Sequence, residues 1–240
     1  MTITRIQSVE TVRDALARKI VSRLKANRPV LFVASGGSTA PVAAAVCAGL
    51  AREFRDREKI LKLLMSVTLA DERYGPAGHP DSNWRSLLEN GFEPASFASF
   101  PVLREGSGSK GGEDEAARVF GDILADAAVR RGHDDLFVVG LFGVGEDGHT
   151  AGILPGSPAA AISPDDSVYA IAYRSAIFTR ITMTPAFFRH VDYAVALATG
   201  EKKRAAVDSL RSDGPALEPP ARLISLARES VLYTDLDARG

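Results

Sequence analysis

Apolar and polar positions alternate between two rhythms along the chain. From residue 9 to 24 apolar side chains recur at Val9, Val12, Leu16, Ile20 and Leu24, the stripe of an amphipathic helix. Ser8 stands at the expected N-cap, and Arg28-Pro29 ends the pattern. Residues 30–34 form an unbroken apolar run, the mark of a strand buried on both faces of a parallel sheet. Gly36-Gly37 interrupts the run, and an Ala-rich helix is predicted over 39–55. Further strands are predicted at 63–69, 97–102, 136–142, 167–172, 193–198 and 230–233. Helices are predicted at 82–90, 113–131 and 201–210, with Gly91 suited to a C-terminal cap. Residues 70–81 read as a polar loop. The glycine-rich stretch 106–112 reads either as a mobile lid or as a plain surface loop.

Alternating strand and helix predicts an α/β domain with a parallel sheet covered on both faces. One domain over residues 1–240 is the default for this length. Hydrophobic residues make up 45% and charged residues 25%, which excludes a disordered, collagen-like or coiled-coil chain. Lys and Arg number 29 against 30 Asp and Glu, so the basic footprint of a dedicated nucleic-acid binder is missing, although a local basic pocket is compatible. The single cysteine, Cys47, allows no internal disulfide and suits a reducing compartment. Residues 1–10 carry no apolar leader core, and no apolar run approaches the ~20 residues of a membrane helix. A soluble cytoplasmic protein without nucleic-acid or membrane partners is the expectation.

Ligands of parallel sheets bind at the carboxyl ends of the strands, which directs attention to the loops after Ala34, Leu69, Phe142 and Ala198. The first is Ser35-Gly36-Gly37-Ser38-Thr39. Its glycines let the backbone approach a ligand, a helix N-terminus follows, and Ser38 and Thr39 add hydroxyls, a combination suited to phosphate or to an ordinary capped turn. No Gly-Lys-Ser/Thr follows, so it is no nucleotide P-loop. The second is Asp71-Glu72-Arg73-Tyr74, continuing to Ser82-Asn83. Asp71 can accept a proton or orient a sugar hydroxyl, and Arg73 can grip a phosphate or carboxylate, unless the two simply pair. Ser82-Asn83 is open to reading as a helix cap or as a substrate contact. The fourth, Thr199-Gly200-Glu201-Lys202-Lys203-Arg204, puts cations into a first helical turn, where they oppose the dipole unless an anion is bound. Arg180 is a further anion contact by position.

The third loop, Gly143-Val144-Gly145-Glu146-Asp147-Gly148-His149-Thr150, formally matches a dinucleotide fingerprint. Pro155 limits any following helix, and Glu146 and Asp147 would repel a pyrophosphate. His149 is the stronger clue, since a neutral imidazole at a strand end can take a proton near neutral pH, with Asp147 or another carboxylate orienting it. His79, His133 and His190 sit in polar contexts expected at the surface. A Gly-x-Ser-x-Gly nucleophile elbow and metal-ligand spacings are both missing from the sequence.

Together these segments resemble the 6-phosphogluconolactonase family. The resemblance rests on Ser35-Gly36-Gly37-Ser38-Thr39, Asp71-Glu72-Arg73-Tyr74 with Ser82-Asn83, and Gly143 through Ala151. It extends through Arg180-Ile181-Thr182, Thr199-Gly200-x-x-Lys203 and Pro220-Ala221-Arg222-Leu223. It implies a three-layer α/β/α, mainly parallel, Rossmann-like fold and cofactor-free hydrolysis of 6-phosphoglucono-δ-lactone in the oxidative pentose phosphate pathway, by a monomer or homodimer. The related glucosamine-6-phosphate isomerase/deaminase pattern carries Asn-Glu-Pro after its Gly-His, whereas this chain reads Thr150-Ala151-Gly152. Departures from the lactonase pattern fall at Gly152 and Leu154, at 173–178, which lacks the usual Lys-Pro-Pro character, and at 187–189. A sugar-phosphate deaminase and a non-catalytic sugar-phosphate sensor are the alternatives.

The expected site follows from that resemblance. Phosphate rests on Gly36, Gly37, Ser38 and Thr39, faced by Arg73, Lys203 and Arg180, with Asn83 nearby. His149 activates water against the lactone carbonyl, and backbone N–H groups between Gly145 and Gly148 hold the oxyanion. Asp71 orients either His149 or a sugar hydroxyl, and Asp147 lies within the same loop.

Overall fold

A computed structural model describes residues 1–212 and 217–237. The chain opens with β1 (Thr2–Arg5), α1 (Glu10–Lys25), β2 (Val30–Ala34) and α2 (Ala40–Glu53). It continues through α3 (Glu58–Leu64), β3 (Met65–Leu69), β4 (Asp71–Arg73), α4 (Asn83–Glu89) and β5 (Ala98–Phe100). Then come α5 (Glu113–His133), β6 (Phe137–Gly143), β7 (Ala170–Arg174), β8 (Thr179–Met183) and α6 (Pro185–Phe188). The last elements are β9 (Tyr193–Ala198), α7 (Arg204–Arg211) and β10 (Glu229–Thr234).

Seven strands form one sheet in the order β1-β10-β9-β6-β2-β3-β5, and every neighbouring pair is parallel. The central strands β2 and β9 are buried along their whole length, as their continuous apolar sequences require. From β2 the chain first steps outward to β3 and β5, then returns to β6 and proceeds to β9 and β10. Right-handed crossovers make that reversal change the covered face, so helices flank both sides of the sheet. α1 and α2 pack together, and α1 buries Val12, Leu16, Ile20 and Leu24 completely. The expected α/β/α layering and parallel sheet are therefore present. The reversal also opens a crevice between the carboxyl ends of β2 and β6, the position where such sheets bind ligands.

A second sheet was not foreseen from the hydrophobic pattern. It is antiparallel, ordered β4-β8-β7, and packs against α5. Residues 70–81, read as a loop, contain β4. The strand expected at 167–172 is β7, shifted toward 170–174 and paired antiparallel with β8 rather than placed in the main sheet. Residues 63 and 64 end α3 instead of starting β3. Val9 is exposed and precedes α1, while the Ser8 hydroxyl accepts the N–H of Glu10 at 3.1 Å.

The glycine-rich stretch after β5 is seated by Tyr74. Its hydroxyl donates to the Ser109 carbonyl at 2.7 Å and accepts the Gly108 N–H at 3.2 Å. Gly108, at φ +101°, lies so near the chain that a Cβ there would approach the Pro76 nitrogen to 2.5 Å.

Candidate active site

The four strand-end loops converge on a pocket of about 310 Å³. Its walls include Gly36, Gly37 and Ser38 after β2, Asp71 and Arg73 on β4, and Asn83 at the start of α4. Gly145 and His149 after β6, Arg180 on β8 and Lys203 after β9 complete it. Ser35, Gly143, Val144, Ala151 and Gly152 also contribute. A larger groove of about 640 Å³ runs along α2 and α3, but it contains no histidine and none of the strand-end loops.

The turn after β2 is fixed by Thr39 and Asn83. The Thr39 hydroxyl is bonded to the carbonyls of Ser35 and Gly36, at 3.0 and 2.9 Å. Thr39 is thus fully buried and shapes the turn rather than lining the pocket. Asn83 packs onto Gly36 so tightly that a Cβ at Gly36 would fall 2.0 Å from Asn83 Oδ1. Gly37 takes φ +61°. Both glycines therefore have a steric requirement behind them. Ser82 caps α4 by accepting the Arg85 N–H, while Asn83 faces the pocket, so the two readings of that dipeptide divide between its residues.

Glu72, for which the sequence suggested no role, joins these segments. Its side chain is fully buried. One carboxylate oxygen accepts the N–H groups of Arg73 and Asn83, each at 2.7 Å. The other accepts the Ser82 hydroxyl at 2.9 Å and the Trp84 N–H at 3.0 Å. A carboxylate at a helix N-terminus with four donors is well compensated for its burial. Burial pushes the Glu72 carboxyl up, against the opposing pull of those donors.

His149 stands on a loop folded back on itself. The Gly145 N–H donates to the His149 carbonyl at 2.8 Å, and the Gly148 N–H donates to the Gly145 carbonyl at 3.1 Å. The expected oxyanion donors at Gly145 and Gly148 are thus already engaged within the loop. Gly148, at φ +78°, meets Pro219 and lies outside the pocket lining. The His149 Nδ1 sits 2.5 Å from Asp147 Oδ1, which also accepts the His149 N–H at 3.1 Å. Asp147 is therefore the carboxylate that orients the imidazole, and it is not among the residues that line the pocket. Burial opposes ionisation of Asp147, but donation by His149 outweighs it and holds the carboxyl below its ordinary range. The dinucleotide reading fails structurally: after Gly148 the chain closes a bridge between Thr150 and Ile153 and opens no helix.

Asp71 is buried with its Oδ2 3.6 Å from Arg180 Nη1, so its direct partner is a guanidinium rather than the imidazole. Burial pushes the Asp71 carboxyl up, while Arg73, Arg180 and His149 pull it down. Arg73 donates to the Asp81 carbonyl at 2.8 Å, and the alternative reading of an ion pair with Asp71 is not realised. Beneath the pocket, Ala151 adopts φ +49°, a conformation strained for a residue with a Cβ. The hydroxyl of Thr182 bonds the Ala151 carbonyl, and that of Tyr173 bonds Gly152 at 2.5 Å. Both bolts come from the small sheet.

Buried polar atoms lacking a partner concentrate here. Among the described residues six such side-chain atoms occur, and four belong to the pocket: Ser35 Oγ, Arg73 Nε, Asn83 Oδ1 and Arg180 Nε. Arg73 and Arg180 face each other directly across the β4–β8 pair. Like charges in that register repel, so the arrangement is suited to an anion. Lys203 has no ion-pair partner among the described residues. Cys47 is buried in α2 and its thiol is pushed up to about 12, which removes it as a nucleophile. Among the described residues no group of three or more His, Cys, Asp or Glu side chains is placed to hold a metal ion, and no helix is long and apolar enough to cross a membrane.

This chain is 33% identical to the 6-phosphogluconolactonase of Caulobacter vibrioides, covering 93% of this chain and 92% of that protein. It is likewise 33% identical to the 6-phosphogluconolactonase of Mesorhizobium japonicum, over 84% and 81% of the two chains. Its structure resembles that of the 6-phosphogluconolactonase from Trypanosoma brucei, with a TM-score of 0.72, 26% identity, and 97% and 94% of the two chains covered. A monomeric glucosamine-6-phosphate deaminase has the same fold, with a TM-score of 0.70 at 17% identity over 98% and 97% of the chains. The family model for glucosamine-6-phosphate isomerases/6-phosphogluconolactonase matches residues 4–233. The chain belongs to the glucosamine-6-phosphate isomerase/6-phosphogluconolactonase family.

Proposed function

We propose that this protein hydrolyses 6-phospho-D-glucono-1,5-lactone to 6-phospho-D-gluconate, the lactone-opening step of the oxidative pentose phosphate pathway, in the cytoplasm. The observation that carries the reading is one pocket holding an aspartate-oriented imidazole opposite two arginines and a lysine. The full-length likeness to two 6-phosphogluconolactonases supports this substrate over an amino sugar.

The phosphate binds between the Gly36-Gly37-Ser38 turn and the side chains of Arg73, Arg180 and Lys203. Asp147 holds the proton on His149 Nδ1, leaving Nε2 as the basic nitrogen. Nε2 takes a proton from water as the oxygen attacks the lactone carbonyl carbon. The resulting imidazolium is stabilised by Asp147 and returns the proton to the ring oxygen when the carbon–oxygen bond breaks. Asp71, fixed beside Arg180, is placed to accept a sugar hydroxyl. All these side chains come from one copy of the chain.

The test is lactone loss and proton release measured above the spontaneous rate on freshly made substrate. Wild-type protein accelerates hydrolysis, and His149→Ala loses about 10²–10⁴-fold in kcat. Ammonia release from glucosamine 6-phosphate without lactone turnover would overturn the assignment in favour of a deaminase. Binding of both sugars with neither reaction would mark a sensor.

A further inference from the structure

We propose that Phe178 is a positioning residue: its ring is a platform that holds Arg73 and Arg180 side by side as a preformed two-armed clamp for the substrate phosphate. This rests on the phosphate-binding half of the proposed function.

Arg73 and Arg180 are direct cross-strand partners, an arrangement that mutual repulsion disfavours. The Phe178 ring answers that repulsion on both sides. Its centroid lies 5.4 Å from the Arg73 guanidinium carbon and 5.8 Å from that of Arg180. An aromatic face attracts cations through its quadrupole, and guanidinium planes stack on it well. The far ends are pinned separately, Arg73 by the Asp81 carbonyl and Arg180 by Asp71. Each arginine retains a buried Nε without a partner. The two side chains are thus oriented before any ligand arrives, while N–H groups on both remain unspent.

The ring is itself held in place. Phe178 closes the β7–β8 hairpin, where the Ser175 N–H and hydroxyl both donate to the Phe178 carbonyl at 2.8 Å. The Phe178 N–H donates back to the Ser175 hydroxyl at 3.2 Å. Its neighbour Ile177 is 81% exposed, so the turn directs Phe178 inward and Ile177 outward. A leucine at 178 would keep apolar bulk but remove the π-face.

The experiment compares wild type, Phe178→Leu and Phe178→Tyr. Inorganic phosphate and 6-phosphogluconate binding are measured by calorimetry, and kcat and KM on the lactone. A thermal midpoint confirms that each variant is folded. With the π-face gone from beneath both guanidinium groups, Phe178→Leu should bind phosphate and product about tenfold more weakly, with KM raised by a similar factor and kcat held within about twofold. Phe178→Tyr restores all three. Unchanged phosphate affinity in folded Phe178→Leu, equal losses in the Leu and Tyr variants, or a loss confined to kcat would each overturn the platform. So would a wild type that binds neither phosphate nor 6-phosphogluconate. If wild-type protein fails to open the lactone, the proposed function falls, whereas the phosphate titrations still decide the role of Phe178.

Discussion

A Cβ atom on Gly145 would lie 2.1 Å from Nδ1 of His149 and 2.5 Å from Oδ1 of Asp147. The glycine is the space in which the imidazole–carboxylate pair sits. Gly145→Ala is therefore expected to push the ring out of line while leaving the sheet intact. Displacing a reacting group by an ångström costs about 100-fold. A kcat lowered by that factor with a nearly unchanged thermal midpoint is the expected result, and full activity would show that the pair tolerates displacement.

Asp147 also predicts a pH signature in stability. Its carboxyl is held below the ordinary value of 3.8 in the fold. A depressed carboxyl contributes stability above its unfolded pKa, and the contribution disappears as the pH falls through the folded value. Urea unfolding should find Asp147→Asn less stable than wild type at pH 5.5, with the gap closing below about pH 3.8. A gap that stays constant down to pH 2.5 would contradict the assignment.

Loss of either arginine of the clamp should act on binding. Charge-assisted hydrogen bonds contribute about 1.5–3 kcal/mol, so Arg73→Ala and Arg180→Ala should each raise KM by about tenfold or more. Steady-state kinetics on the lactone would reveal this, and an unchanged KM in either variant would remove that residue from phosphate binding.

Glu72 gives the sharpest stability prediction. Three of its four donors are backbone N–H groups that cannot reverse direction. In Glu72→Gln the new NH2 group must face at least one of them. Leaving buried donors unpaired costs about 2–4 kcal/mol, measurable by urea unfolding at neutral pH. Because Arg73 and Asn83 hang from this carboxylate, KM should rise as well.

The sequence pattern located the loops that converge on the pocket because the rule it used is geometric. Four apolar strands ended at Ala34, Leu69, Phe142 and Ala198, and parallel alignment brings such ends to one edge. Its failure at β4 has an equally plain cause. Asp71-Glu72-Arg73 has no apolar alternation, yet two of the three residues are buried, because a carboxylate satisfied by backbone and hydroxyl donors, as at Glu72, or set beside a guanidinium, as at Asp71, can replace apolar contacts. Periodicity registers hydrophobicity and is blind to that compensation. Missing β4 meant missing its partner β8, and with it the register that sets Arg73 against Arg180. The choice between Asp71 and Asp147 as partner of His149 was likewise beyond a one-dimensional reading, since it depends on how the loop after β6 folds back.

The two sheets divide the labour of the pocket. The loop carrying Asp147 and His149 leaves the seven-stranded sheet, whereas both arginines ride on the three-stranded one. Exchanging only the turn at 175–178 would reach both arginines through Phe178 while keeping the His149–Asp147 pair and the Thr182 and Tyr173 hydroxyls that bolt the chain after it.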